Sequence, residues 1–346
     1  MPKKARVSVT LKDVAERVGV TSAAASMALS DHSRISGKTK DAVRKAAADL
    51  GYVPSSVGRA LRSQRSGAIA LIVPDTSQHV FGHSYFMHLL TGISAAANAH
   101  DVQVVLSTTS DTGEAGERVA YERVMRSRSA DGAIVTSAAV TDAGLGALVA
   151  TGLPVVLIGN FPYLADAVTV WIDDVAGSRK ITNHLLDIHG RSRLVHVTGP
   201  LDHQTGIDRR RGFLAAVEDQ GVAAAATIVD GDFSEESGRR AVEQLLDENV
   251  EFDGIVFAND DMAFGGLAAL KGHGIHVPED VSIVGFDDFG LSRVTTPGIT
   301  TMHTPAEEMA RIATTLLFEL IDGTAVGPSQ LELPVTLTLR RSCGCP

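Results

Sequence analysis

Six side chains stand at or just after the carboxyl ends of predicted strands, and together they could hold a small molecule. Asn160 and Phe161 close the apolar run PVVLIG, Asn259 ends GIVFAND and Asp287 ends SIVGFDD. Phe233 follows Gly-Asp in GDFSEESG, and Arg209 opens the pattern R-x-x-G-F. An arginine and a carboxylate can each bond vicinal hydroxyls in pairs, while aromatic faces cover the C–H side of a ring. That mixture suits a neutral polyol. Plainer roles compete at each position. Arg210 and Arg211 follow Arg209, as at a solvated helix start, and Phe233 could belong to a core. Asn259-Asp260 and Asp287-Asp288 could cap the helix or turn next in the chain, and Asp173-Asp174 is expected to cap a helix rather than touch ligand. Convergence on one rim favours the site.

Other chemistries find less support. GKT at 37–39 lacks the glycine a phosphate loop needs five residues earlier, where His32 stands. GLGALV at 144–149 ends in Val and follows polar residues, so it is a weak dinucleotide signal. Neither a nucleophile elbow nor H-E-x-x-H occurs, and adjacent acids such as Asp260-Asp261 point apart, so an α/β enzyme is disfavoured. His79 and His83 lie in, and His88 just after, a segment, TSQHVFGHS, that reads as a long loop, which makes them scattered surface histidines. Cys343 and Cys345 are too few for a disulfide framework. With no further Cys, the terminal C-x-C is a poor metal signature, so neither metal nor cofactor is expected.

The elements that would position the site are strands alternating with helices. Continuous Val/Ile/Leu runs at 68–74, 102–107, 132–136, 154–159 and 168–173 are followed by a second set at 193–198, 227–231, 253–258, 281–286 and 299–303. Such runs predict parallel sheets covered on both faces. Two half-bodies of similar size imply a cleft between them, with ligand at strand carboxyl ends.

Residues 1–66 read differently. Leu11, Val14, Ala15 and Val18 form one helical stripe, Thr10 and Asp13 make a capping box, and Gly19 stands where a left-handed C-terminal residue is wanted. Thr21 or Ser22 opens a second helix with Ala25, Ala28 and Leu29 on its apolar side. Ser36 begins a third, with Val43, Ala46, Ala47 and Leu50 inward and Gly51 at its end. Two short helices around a Gly-containing turn are the helix-turn-helix unit. Charge supports DNA as its partner. Residues 1–66 carry thirteen Lys/Arg against five Asp/Glu, a net of +8, while the rest carries 18 against 36, a net of −18. A basic head on an acidic body is what phosphate binding by the head alone requires. After Pro54, SSVGRALRSQRSG is either a polar linker or a short helix, with Val57, Ala60 and Leu61 on one face among Arg59, Arg62 and Arg65. As a helix it would be marginal in water and would order on DNA, with Leu61 as a minor-groove wedge.

VTLKDVAERVGVT…S, the following R-I-S-x-x-T, LGYVP, and R-A-L-R before SGAIALIVPD resemble the lactose/galactose repressor family of bacterial transcription regulators, in order and over essentially the whole chain. The resemblance implies a homodimer or tetramer on a pseudo-palindromic double-stranded operator, with affinity set by a small effector, most readily a carbohydrate. The terminal LTLRRSCGCP lacks a heptad zipper, which favours the dimer. It further implies that Thr10, Thr21, Ser26 and Thr39 touch phosphates, that Ser22, Ala23 and Met27 face base edges, and that Leu61 is the wedge. Tyr85 and Phe86 match the paired aromatics after the first strand, and Arg209 matches the effector-binding arginine. Phe86 also reads as a core residue. Two departures stand out. The usual Thr-Val-Ser is Ala24-Ala25-Ser26, and Thr304 occupies a position where many members carry Gln. An alanine-rich recognition helix shifts expected readout toward Arg34, Ser22, the joint around Arg59 and Leu61, and DNA deformability.

The expected architecture is an all-α helix-turn-helix head at 1–53, a hinge at 54–66, and a periplasmic-binding-protein-like α/β body at 67–346. The body divides into an N-subdomain of about 67–172 plus 305–332 and a C-subdomain of about 173–304 plus 333–346. The opening MPKKARVSVT has no apolar segment behind it and no run reaches membrane length, so the expected location is the cytoplasm. A solute-binding protein would leave the basic head without a purpose.

Overall fold

The computed structural model describes residues 9–52, 65–110, 114–324 and 330–346. The chain forms two compact units, Met1–Ser66 and Gly67–Pro346.

In the first unit, α1 (Leu11–Val18), α2 (Ser22–Leu29) and α3 (Gly37–Leu50) each begin on a hydroxyl cap: Thr10, Thr21 and Ser36. Thr10 and Asp13 form the full reciprocal box, and Gly19 and Gly51 close their helices in the left-handed region. Helices of eight residues are marginal alone. Here they are held by a core of Val14, Ala15, Ala25, Ala28, Val43, Ala46 and Ala47, in which alanines let the helices approach closely. Among the described residues of this unit, the buried ones are all apolar.

The second unit alternates strand and helix. Its first half runs β1 (Ala68–Thr76), α4 (Ser77–Gly82), α5 (Ser84–Ala99), β2 (Gln103–Thr109), α6 (Glu114–Ser127), β3 (Ala133–Thr136), α7 (Ala143–Ala150), β4 (Val155–Ile158) and β5 (Val168–Ile172). The second runs α8 (Asp174–Asn183), β6 (Leu194–Val197), α9 (Gln204–Asp219), β7 (Thr227–Val229), α10 (Glu235–Asp247), β8 (Gly254–Phe257), α11 (Asp260–Gly272), β9 (Ser282–Asp287), α12 (Leu291–Val294) and β10 (Thr300–His303). The chain then returns to the first half as α13 (Ala306–Asp322) and β11 (Gln330–Leu333), and ends in the second as β12 (Thr336–Thr338).

The first sheet has the order β11-β5-β4-β3-β1-β2 and the second β12-β10-β9-β8-β6-β7. The second therefore repeats the doubly wound order of the first. All pairings are parallel except β12 against β10, with Met302 opposite Leu337. Burial on both faces explains the unbroken apolar strands: in β1, Ile69, Leu71 and Val73 pack on one side, and Ala70 and Ile72 on the other. Three crossings join the halves, at 172–174, 303–306 and 333–336.

One expectation is corrected. TSQHVFGHS is not a loop: Thr76 accepts a hydrogen bond from the His79 backbone N–H at 3.2 Å and caps α4, and His83 leads directly into α5. Among the described residues, no helix is long and apolar enough to cross a membrane.

Candidate functional site

The strand carboxyl ends of the two halves face a cleft of about 910 Å³, counted with its open mouth. All eight residues singled out for the body line it: Tyr85, Phe86, Asn160, Phe161, Arg209, Phe233, Asn259 and Asp287. At its floor Arg209, only 5% exposed, projects from α9. Its Nε donates to Asp174 Oδ1 at 2.8 Å, Nη2 to Asp287 Oδ1 at 3.0 Å, and Nη1 to the Ala258 carbonyl at 2.5 Å. The guanidinium carbon lies 3.7 Å from the centroid of the Phe286 ring. Arg209 is therefore not part of a solvated basic start. Its bonds use three of the five N–H donors of a guanidinium.

Burial sets the electrostatics. It pushes Asp174 up to about 6 and raises Asp287, in both cases against the attraction of Arg209. Burial also disfavours the charge on Arg209, but Asp287 and Asp174 outweigh it and hold the guanidinium protonated. Two carboxylates around one cation leave the floor electron-rich, which disfavours an anionic ligand. Burial pushes the Tyr85 phenol up to about 12, so it stays neutral and can donate. Phe233 and Asp287 lie in the left-handed backbone region, with φ of 67° and 108°. Such conformations cost on the order of 1–3 kcal/mol each and cluster where side chains must be aimed.

The plainer roles hold alongside the cleft positions. Asn259 caps α11 by accepting from the Met262 N–H at 2.9 Å, and its amide donates to the Phe233 carbonyl at 2.9 Å. Phe86 and Phe161 are buried in the cores behind the cleft. Thr304 donates to Asp287 Oδ1 at 3.3 Å, so it braces that carboxylate.

Two groups of residues were missed. Asp173 caps α8 as expected, but Asp174 points inward to Arg209, correcting its reading as a cap alone. His79 and His83 are not scattered on the surface. They line the cleft with ring centroids 4.1 Å apart, and His83 Nδ1 lies 3.5 Å from Asp261 of the opposite half. Burial and the neighbouring His83 lower the pKa of His79. His88 stands apart, stacked on Phe289 and bonded to Glu307 at 2.7 Å. Further links cross the cleft: Asn160 donates to Asp208 at 2.9 Å, and His203 Nε2 meets the Ser137 carbonyl at 3.2 Å.

In the first unit, Thr10, Thr21, Ser22, Ala23 and Arg34 are exposed, while Ser26, Met27 and Thr39 are half-buried. The hydroxyls of Thr10 and Thr21 serve as caps, and Thr39 Oγ1 lies 2.9 Å from Ser36 Oγ. Asp31 pairs with Lys40 and Arg44, both at 2.9 Å. Arg59 and Leu61 lie outside the described residues.

A small trihelical unit with a helix-turn-helix, joined to a two-sheet body with a ligand-sized cleft, defines a ligand-responsive DNA-binding regulator. Residues 10–55 match the pattern described as "Bacterial regulatory proteins, lacI family", and residues 182–343 that of a "Periplasmic binding protein-like domain". The chain is 30% identical over 339 residues to the HTH-type transcriptional regulator CelR of Thermobifida fusca, covering 96% of this chain and 98% of that one. It is 34% identical over 318 residues to the regulator GalS of Salmonella typhimurium, covering 91% of each. Among solved structures, the Lac repressor dimer bound to operator and the anti-inducer ONPF superposes with a TM-score of 0.86 at 26% identity, over 97% of this chain and 99% of that one. The CelR–cellobiose complex gives 0.72 at 29%, over 96% and 99%. The chain belongs to the lacI family of bacterial regulatory proteins, and it is a transcriptional regulator rather than an enzyme.

Proposed function

We propose that the protein is a homodimeric repressor whose affinity for a pseudo-palindromic operator is set by a neutral carbohydrate in the body cleft. The observation that carries the effector reading is Arg209 held between Asp174 and Asp287 under aromatic walls. Its remaining N–H donors and the carboxylate lone pairs can bond vicinal hydroxyls bidentately. The rings of Tyr85 and Phe233, which line the cleft, can cover the C–H faces of such a ligand. Cellobiose in the CelR complex is a ligand of this class.

In the head, α2 would enter the major groove with Ser22, Ala23 and Met27 toward base edges. Thr10, Thr21, Ser26 and Thr39 would approach phosphates, and Arg34 would add a cation at the exposed turn. Ala23 offers only a methyl, so specificity draws on the Arg59–Leu61 joint and on DNA shape. Effector binding re-angles the two halves through their cross-cleft bonds, and the change reaches the DNA through the joint.

A panel of mono- and disaccharides is screened for a rise in the thermal midpoint of the body. Selected genomic fragments are then tested for retardation with and without each hit. A sugar that stabilises the protein and changes retardation supports the reading. Sugar binding by a chain that never retards DNA at modest salt overturns it.

A further inference from the structure

Away from the cleft, the second half of the body gathers four metal-ligating side chains from its two distant ends. His184 opens a π-helical turn, His184–Ile188, at the end of α8, His189 follows it, and Cys343 and Cys345 lie in the C-terminal tail. Their donor atoms all fall within 4.8 Å of one another. His184 Nε2 lies 3.2 Å from His189 Nε2, 3.4 Å from Cys343 Sγ and 3.6 Å from Cys345 Sγ, and Cys345 Sγ is 3.5 Å from His189 Nε2. A tetrahedral zinc ion with bonds of ~2.0–2.1 Å to nitrogen and ~2.3 Å to sulfur has edges of about 3.4 Å between nitrogens and about 3.6 Å between nitrogen and sulfur. The four distances given match edges of that tetrahedron, and the two remaining edges, from Cys343 Sγ to Cys345 Sγ and to His189, lie within 4.8 Å.

The surrounding backbone is built for it. An α-helix would bring residues four apart onto one side, whereas the π turn does so for residues five apart, as His184 and His189 are. Gly344, between the cysteines, has φ 108° and lies against the His189 ring, where an added Cβ would sit 3.1 Å from Nδ1. Ser282 Oγ donates to the Cys343 carbonyl at 2.9 Å, Ser342 Oγ donates to the Ile283 carbonyl at 2.6 Å, and Thr300 Oγ1 lies 3.0 Å from Cys343 Sγ. Cys343 and Ser342 are fully buried, while His189 and Cys345 are partly exposed, which gives a metal a way in.

We propose that these four residues form a closed Cys2His2 site for a zinc-class cation, which staples the C-terminal tail to the end of α8. Zn²⁺ uptake converts two thiols to thiolates and releases two protons to water, while both imidazoles bind neutral. The resulting centre has no net charge, so its partial burial carries little electrostatic cost. Four protein ligands leave no open position, so the role is structural.

The test uses the full-length chain purified without chelator. Elemental analysis should find about one zinc per chain. After reduction and chelation, Co²⁺ should give thiolate-to-metal charge transfer and tetrahedral ligand-field bands that added Zn²⁺ abolishes, and Zn²⁺ should raise the thermal midpoint of the apo protein. Cys345→Ser and His189→Gln, at the exposed side, should keep the fold and weaken Zn²⁺ binding by at least about tenfold. Three results overturn the proposal: a reduced, folded chain that gives no cobalt spectrum, variants that bind Zn²⁺ as tightly as the parent, or a Cys343–Cys345 disulfide in the freshly purified protein.

Discussion

The head and the body use charge in opposite ways. Among the described residues of the head, the buried ones are all apolar and the basic side chains, the half-buried Lys40 apart, lie exposed, where water and salt reach them. In the body, an arginine and two carboxylates sit together under apolar walls, each less than a tenth exposed. Surface charge is non-directional and screened, which suits a phosphate backbone that must be found before it is read. Buried charge is fixed in orientation and shielded from salt, which suits hydroxyls that must be matched one by one.

Salt breaks this symmetry most strongly. Raising it from 50 to 200 mM should lower DNA affinity by roughly 10³-fold or more if six or more phosphates are contacted. Sugar affinity should change by less than about twofold, because its charges lie behind the dielectric boundary. Paired gel-shift and calorimetric titrations check both arms.

Arg209→Ala is next. It leaves Asp174 and Asp287 unpaired, and truncating one partner of such a cluster costs about 3–5 kcal/mol. Chemical denaturation should show the body destabilised by that order, with sugar binding lost. Arg209→Lys keeps the charge but not the fork, so it should fold better and still fail to bind sugar.

The titration of Asp174 sharpens the contrast further. Its folded pKa of about 6 lies above the ordinary 3.8, so the folded state holds the proton more tightly. This contribution to stability is fully present below pH 3.8 and is lost as pH rises through about 6, by up to roughly 3 kcal/mol. Compared with Asp174→Asn, the parent should lose stability across that window, as denaturation at a series of pH values will show. Smallest is Thr10→Ala, which removes the α1 cap and should destabilise the head by about 1 kcal/mol without moving the unfolding of the body.

Legibility in the sequence divides along similar lines. The strands of both sheets were visible because burial on two faces leaves continuous apolar runs, and Asn160, Phe161, Asn259 and Asp287 because they terminate those runs. Tyr85, Phe86 and Arg209 instead lie on helices and were placed by the family resemblance. Asp174 was misjudged because its neighbour Asp173 is a real cap, and adjacency hides that the next side chain turns inward. His79 and His83 were missed because a six-residue helix looked like a loop, and that helix puts residues four apart on one face. The four-ligand cluster was invisible from the cysteines alone. His184 and Cys343 are 159 residues apart, and only the return of the chain as β12 beside β10 brings them together.

The most direct measurement is the affinity of the full chain for a selected genomic fragment, with and without the carbohydrate that stabilises the body, for the parent and for Arg209→Lys. The expected result is a sugar-dependent change of about 5–150-fold in the parent, the usual range of coupling between two sites, and none in the variant, which still binds DNA. A sugar that occupies the cleft of the parent yet leaves its DNA affinity unchanged would contradict the central claim.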